Sequence, residues 1–238
     1  MKIEGKNPLR ELISSGKAID KVYVQDKIAD TEIREWVREA KSRHAKIEWV
    51  DKKVLDKLSV TGHHQGIIAE VTDFEYADFD KIISQEKDLL LILLDGLEDP
   101  HNLGSVIRVA ECAGADAVII PAHHSVSVNE TVIRVSAGAS SHVPVCKVGN
   151  LNLAIEQMKE HGVWVYGADM DGESIYSANL KGSIALVIGA EGKGLSRLTK
   201  ELCDQIVSIP MHGKVNSLNA SVSAGILVYE ALRQRGTE

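Results

Sequence analysis

The chain has 238 residues, 44% of them hydrophobic and 26% charged, with a net charge of −7. Such a length accommodates one large domain or two unequal ones, and the composition excludes a disordered chain. The acidic balance excludes a broad, sequence-independent grip on nucleic acid, because the phosphate backbone rewards basic proteins.

In chain order, Asn7 and Pro8 cap and start a helix reaching about Ser14, and Lys21–Val24 reads as a short strand. Thr31–Arg43 repeats apolar residues at Ile33, Trp36, Val37 and Ala40, the spacing of an amphipathic helix, and Lys46–Val50 extends again. Asp51–Leu58 fits a further helix, Gly62–Gly66 a turn and Ile67–Val71 a strand. Residues 1–72 thus read as a small α/β domain. Thr72–Asp88 is acidic and lacks the period of a long element, which places a linker at 73–88.

From Leu89 strands and helices alternate. Strands are expected at Leu89–Asp95, Ala117–Ile120, Val143–Val148, Val163–Tyr166, Ile184–Ile188 and Ile206–Ile209. Helices are expected near Ser105–Ala113, Glu130–Ala137, Leu151–His161 and from Ser217 to about Arg233. Apolar strands joined by amphipathic helices imply a parallel sheet covered on both faces, with ligands collecting at the carboxyl ends of its strands.

Charge divides unevenly between the two parts. Residues 1–72 carry 14 Lys and Arg against 12 Asp and Glu, whereas 73–238 carry 13 against 22. Any RNA contact should therefore lean on the first part and on local basic spots, with shape counting for more than bulk charge. The longest apolar run, Leu89–Leu94, is far short of the roughly 20 residues of a membrane helix, and the N-terminus lacks a signal-peptide hydrophobic region, so a cytoplasmic protein is expected. Cys112, Cys146 and Cys203 are far apart in apolar contexts and read as buried free thiols. The pairs His63-His64 and His123-His124 lack Cys or acidic partners at ligand spacing, so no metal is expected.

Function is concentrated in three segments. Leu186–Leu195 reads as a strand ending in a Gly-rich loop, Ile209-Pro-Met211 as the end of another, and Asn216–Ser221 as a polar cap opening a long helix. Loops rich in backbone groups at strand ends can grip a small cofactor through peptide amides and carbonyls. A phosphate cradle is disfavoured, because Glu191 sits inside the loop and neither G-x-x-x-x-G-K-[ST] nor G-x-G-x-x-G is present. A purely structural turn remains the plain alternative. In a fourth segment, Asp95–Ala110, Asp99-Pro100 signals a turn, Asn102 can bond its own loop, Gly104 permits a tight entry, and Arg108 is read in the first helical turns, where the dipole gives a cation no support. Arg108 is then either a salt-bridged surface residue or a binder of an anion or hydroxyl.

Together these residues resemble the SpoU (TrmH-like) branch of the RNA ribose 2′-O-methyltransferases, which have the SPOUT fold. The resemblance spans about Leu89–Arg235 and rests on three motifs in family order: Asp99–Gly104 through Arg108, Ile188–Gly192, and Ile209–Met211 with Ser217–Asn219. It implies a knotted parallel-sheet domain binding S-adenosylmethionine, with Gly167, Ala168, Gly189, Ile209, Met211 and Leu218 around the cofactor. It also implies catalytic or RNA-positioning roles for Asn102, Arg108, Glu191, Ser217 and Asn219, and a homodimer with the C-terminal helix, through Val222, Ile226 and Tyr229, in its interface. Core packing within one subunit is the competing reading of that stripe. A guanidinium keeps its proton in proteins and is a poor general base, so Arg108 is read as a clamp on RNA phosphate or on the developing alkoxide.

The first domain, with Glu4–Pro8 and His64–Ile67, resembles the ribosomal-protein-like substrate-binding domain of the RlmB-type enzymes, which implies a guanosine of 23S rRNA as target. A tRNA ribose methyltransferase and a non-enzymatic RNA-binding or ribosome-assembly factor are the alternatives.

Overall fold

In the computed structural model, which describes residues 2–14, 19–71, 74–214 and 217–236, the alternating pattern forms two units, Met1–Glu75 and Tyr76–Glu238. The first contains β1 (Lys2–Glu4), α1 (Lys6–Ser14), β2 (Lys21–Gln25), α2 (Thr31–Ser42), β3 (Lys46–Val50), α3 (Lys52–Leu58) and β4 (Ile67–Glu70). Its sheet runs β1-β4-β2-β3, with β2 and β3 parallel and β4 antiparallel to both neighbours. Val22 and Val24 alternate with half-buried positions on β2 and meet Leu9 and Leu12 of α1 and Ile33, Val37 and Ala40 of α2 in one apolar core. Helix α1 starts at Lys6, so Asn7 and Pro8 lie in its first turn, where a missing N–H costs nothing. Only three residues long, β1 carries no period to read.

Glu4, at the end of β1, gathers the chain after α3. Its carboxylate accepts from Ser59 Oγ at 2.5 Å, Val60 N at 2.5 Å, and Thr61 Oγ1 at 2.6 Å. Burial raises its pKa, but these donors, Ser59 and Thr61 foremost, outweigh it and bring the value to about 2. In the second unit Glu230 is likewise held at about 2, first by Arg233 and then by Gln234. A depressed native pKa contributes stability that is fully present above the unfolded carboxyl value and is lost as protonation sets in below it. Unfolding midpoints in denaturant should therefore fall as pH drops from about 4.5 to about 2. Glu4→Gln and Glu230→Gln should each lower stability at pH 7 and flatten that fall; an unchanged acid limb would remove these contacts as its cause.

The second unit contains α4 (Phe79–Ile83), β5 (Leu90–Asp95), α5 (Pro100–Cys112), β6 (Ala117–Pro121), α6 (Glu130–Val135), β7 (Val145–Val148), α7 (Leu151–Glu160), β8 (Trp164–Ser174), β9 (Ile184–Gly189), α8 (Arg197–Leu202), β10 (Gln205–Ser208) and α9 (Ala220–Arg235). Its six strands are all parallel, in the order β10-β8-β9-β5-β6-β7. Residues Leu91–Leu94 are 0% exposed, as a central strand covered on both faces requires, which explains the unbroken apolar run. The connection expected to thread a knot includes residues 215 and 216, which lie outside the described residues, so the first residue of the expected cap Asn216–Ser221 falls there too.

Several boundaries differ from the sequence reading. The expected linker at 73–88 mostly belongs to the second unit: Ala77 bridges Cys146, and Ile82 and Ile83 of α4 enter the core. Residues 72 and 73 lie outside the described residues. Helix α5 begins at Pro100, with Asp99 as its N-cap, so the turn signal was a helix start. Gly104 is consequently interior to the helix rather than at its entry, and a Cβ there would stand 2.7 Å from Val135 Cβ, so it permits close approach of α6. Helix α9 begins at Ala220, leaving Ser217 and Leu218 ahead of it. Cys146 is buried and Cys203 partly so, with burial pushing both thiols up to about 12, but Cys112 is exposed.

Candidate active site

The site is built where β5, β9 and β10 end, beside the first half of β8. Gly189 closes β9, and the following loop folds back on it: Gly194 N donates to Ala190 O at 2.9 Å, and Ser196 N donates to Asp95 Oδ2 at the end of β5 at 2.8 Å. A Cβ on Gly189 would lie 2.2 Å from Gly194 C. Its lack of a side chain is therefore demanded by the loop itself, the plain alternative noted from sequence. The turn still presents Glu191 outward.

The first turn of α5 and the start of α9 meet at that carboxylate. Glu191 Oε1 accepts from Asn102 Nδ2 at 3.0 Å, from Asn219 Nδ2 at 2.5 Å and from Ala220 N at 3.3 Å. Asn219 Nδ2 also donates to Asn102 Oδ1 at 2.9 Å. Asn219 is the N-cap of α9: its Oδ1 accepts from Ser221 N at 2.9 Å and from Val222 N at 3.3 Å. Because that oxygen must face the helix amides, its NH₂ must face Glu191 and Asn102, which in turn fixes the orientation of the Asn102 amide. Asn102, third residue of α5 and 5% exposed, bonds Glu191 rather than its own loop. Glu191 Oε2 has no partner among the described residues and remains open to accept from a hydroxyl.

The other expected site residues fall into two groups. Gly167 and Ala168 pair with Val187 and Ile188, immediately before Gly189, and Gly167 also pairs with Ile206 of β10. Gly167 is packed, since a Cβ there would meet Leu195, Cys203 and Ile206 within 2.9 Å, so it can offer a ligand only backbone groups. Ile209 and Met211 follow β10, and Leu218 adjoins Asn219; Met211 is 38% and Leu218 37% exposed. Ser217 and Arg108 are exposed and are not tied to Asn102, Glu191 or Asn219 by any hydrogen bond among the described residues. Arg108 lies in the C-terminal half of α5, short of its last turn, which corrects its placement in the first turns.

Sequence reasoning missed the supports of the site. Between Ile206 and Val207 the β8–β10 register jumps from Gly167 to Glu173, so β8 bulges at 168–172. Lys200 of α8 pins that bulge through Asp169 at 3.1 Å and Asp171 at 3.3 Å, and those carboxylates, Asp169 foremost, raise its pKa. A six-residue helix and an 11-residue bulged strand leave no clean period in the sequence.

The histidines do not assemble a centre. His64 is buried, with Nε2 2.9 Å from Asp56 Oδ1 and Nδ1 accepting from Gly66 N at 3.0 Å. No group of three His, Cys, Asp or Glu able to hold a metal occurs among the described residues.

Comparison with known proteins follows the same division into two units. Residues 89–229 match the SpoU rRNA Methylase family, and residues 2–77 match the family described as RNA 2′-O ribose methyltransferase substrate binding. The chain is 45% identical to a protein of Staphylococcus haemolyticus described as belonging to the TrmH family of tRNA/rRNA methyltransferases, over 98% of this chain and 95% of that protein. Among solved structures, the SpoU methyltransferase AviRb of Streptomyces viridochromogenes, in complex with AdoMet, is 26% identical with a TM-score of 0.63, covering 98% of this chain and 90% of its own. A structure concerning 2-OH methylation of C/U34 on tRNA is 28% identical with a TM-score of 0.56, covering 62% of this chain and 96% of its own.

Proposed function

This chain belongs to the SpoU rRNA methylase family, and from that premise we propose that it methylates the ribose 2′-hydroxyl of a guanosine in 23S rRNA. Its activity is that of an S-adenosylmethionine-dependent RNA ribose 2′-O-methyltransferase. The observation that carries the reading is the meeting of Asn102 from the first turn of α5, Glu191 from the turn after β9 and Asn219 from the cap of α9.

The residues present suit the cofactor. Met211 and Leu218 leave apolar side chains partly exposed beside backbone-rich strand ends, which is the cover an adenosine needs. Ala168, Gly189 and Ile209 would add peptide groups, and Gly167 its backbone. When bound, S-adenosylmethionine supplies an electrophilic methyl group on a sulfonium. The protein must align the acceptor oxygen and receive its proton, and Glu191 Oε2 is the open acceptor within the network. Arg108 holds an RNA phosphate or the charge developing on the 2′-oxygen, and Ser217 lines the approach to α9.

The choice of ribosomal RNA rests on the first unit. Its match to a substrate-binding family accounts for the part of the chain beyond the methylase domain, whereas the tRNA-related structure covers too small a share to include both units whole. A homodimer is supported by α9, where Val222 and Tyr229 are each 49% exposed and Ile226 partly so, while Ala224, Leu227, Val228 and Ala231 fill the core of the unit. Among the described residues no helix is long and apolar enough to cross a membrane, in keeping with action in the cytoplasm, where the RNA is.

Incubation with labelled S-adenosylmethionine and unmodified 23S rRNA or tRNA tests the reading, because a 2′-O-methyl group blocks alkaline cleavage and so maps itself. Label at a 23S guanosine is expected; label in tRNA alone would move the target, and none in any RNA would favour an assembly factor. Arg108→Ala should lower turnover by about 10²–10³ while S-adenosylmethionine affinity stays within a few-fold. A near-normal rate would remove Arg108 from the mechanism.

A further inference from the structure

The first unit carries a groove of about 390 Å³ lined by Lys27, Ile28, Arg34, Val37, Arg38 and Trp49. Ile47 and Trp49 share one face of the edge strand β3; Ile47 packs against the core, while Trp49, the next residue on that face, is left 49% exposed. Arg34 and Arg38, one turn apart on α2, stand beside it with Val37 between them at the floor. Arg34 Nε donates to Ile28 O at 3.1 Å, which holds the plane of that guanidinium, while Arg38 and Lys27 have no partner among the described residues. No acidic side chain lines the groove.

The groove is built in advance of any occupant. His64 fixes Gly66, whose φ is +86°, and a Cβ on Gly66 would lie 2.6 Å from Ile28 Cδ1, so the floor is closed from behind by the turn that carries His64 and Gly66. An indole face open to solvent, three cations without a lining carboxylate and a volume within the range of small-ligand pockets, about 300–1,000 Å³, suit one chemistry. An unstacked nucleobase lies on the aromatic face while the cations meet its flanking phosphates.

We propose that this groove captures an unpaired base of the RNA substrate, with Trp49 as stacking platform and Arg34, Arg38 and Lys27 as phosphate contacts. The proposal rests on RNA being the substrate, and it adds a second point of recognition within the first unit alone. An exposed aromatic platform between cations explains why an acidic protein can hold RNA at low net cost in basic residues, since stacking does not depend on bulk charge.

The test is binding of the full chain to a mixed-sequence single-stranded RNA of about 12 nucleotides and to the same sequence as a duplex. Trp49→Ala should weaken single-strand binding about tenfold, Trp49→Phe should keep near-wild-type binding, and neither should alter S-adenosylmethionine affinity. Arg34→Gln and Arg38→Gln should each reduce the slope of log affinity against log salt by about 0.7. Trp49→Ala within twofold of wild type, Trp49→Phe as weak as Trp49→Ala, or an equal loss for the duplex would overturn the proposal. Binding is read without methyl transfer, so failure to label any RNA would sink the proposed activity and leave this result standing on its own.

Discussion

Gly189→Ala is expected to abolish measurable S-adenosylmethionine binding and to lower the stability of the second unit by about 3 kcal/mol or more. The added Cβ would lie 2.2 Å from Gly194 C, 2.3 Å from its oxygen and 2.5 Å from Leu195 N. These are backbone atoms, so no rotamer change relieves the overlap. The loop would have to swing away, breaking the Gly194–Ala190 hydrogen bond and drawing Ser196 N from Asp95. Glu191, carried by the same turn, would leave Asn102 and Asn219. Gly192→Ala is the control: its φ is +73°, but a Cβ there meets nothing within 4 Å. That substitution should cost only the left-handed backbone penalty, about 1–2 kcal/mol. Calorimetric titration with the cofactor and thermal unfolding distinguish the two variants, and normal affinity in Gly189→Ala would show that the turn does not shape the cofactor site.

Glu191→Ala should reduce methyl transfer by about 10² or more, with cofactor affinity changed only a few-fold. One carboxylate oxygen satisfies three donors from two distant segments. Its removal leaves the buried amide of Asn102 without its acceptor, at a cost of about 1–3 kcal/mol, and unties the start of α9 from α5. It also deletes the open oxygen proposed to accept from the 2′-hydroxyl. Glu191→Gln separates these effects, because its amide keeps an oxygen to accept from Asn102 and Asn219 but offers an NH₂ where Oε2 stood. Single-turnover rates should then show Gln restoring stability towards the wild type while transfer stays low. Full transfer in Glu191→Gln would reduce the carboxylate to a structural tie.

Near-complete legibility holds for elements whose residues speak locally. The alternation from Leu90 to Ser208, the amphipathic period of Thr31–Ser42 and the three motifs lie within short windows, where apolar spacing and capping chemistry are set by the residues themselves. Errors cluster where the local signal is double-valued. Asp99-Pro100 serves equally as a turn and as an N-cap followed by a first-turn proline, and the helix won because Asn102, Leu103, Val106 and Ile107 are drawn into the core and the site. Likewise the acidic stretch around Phe79 looks like a linker until Ile82 and Ile83 find the sheet to pack on.

By itself, then, the sequence determined the succession of strands and helices, the division into a mildly basic first part and an acidic second, and which residues were worth watching. Tertiary structure alone decided what those residues do for one another. Asn102 and Asn219 are 117 positions apart and Glu191 is 89 from Asn102, separations over which no periodicity or propensity acts. They meet because the strand order sets β9 beside β5, bringing the turn after Gly189 to the start of α5, and because Asn219 caps α9 there. The same holds for Gly189, whose need for a bare α-carbon comes from a neighbour five residues on that only the folded loop brings within van der Waals distance.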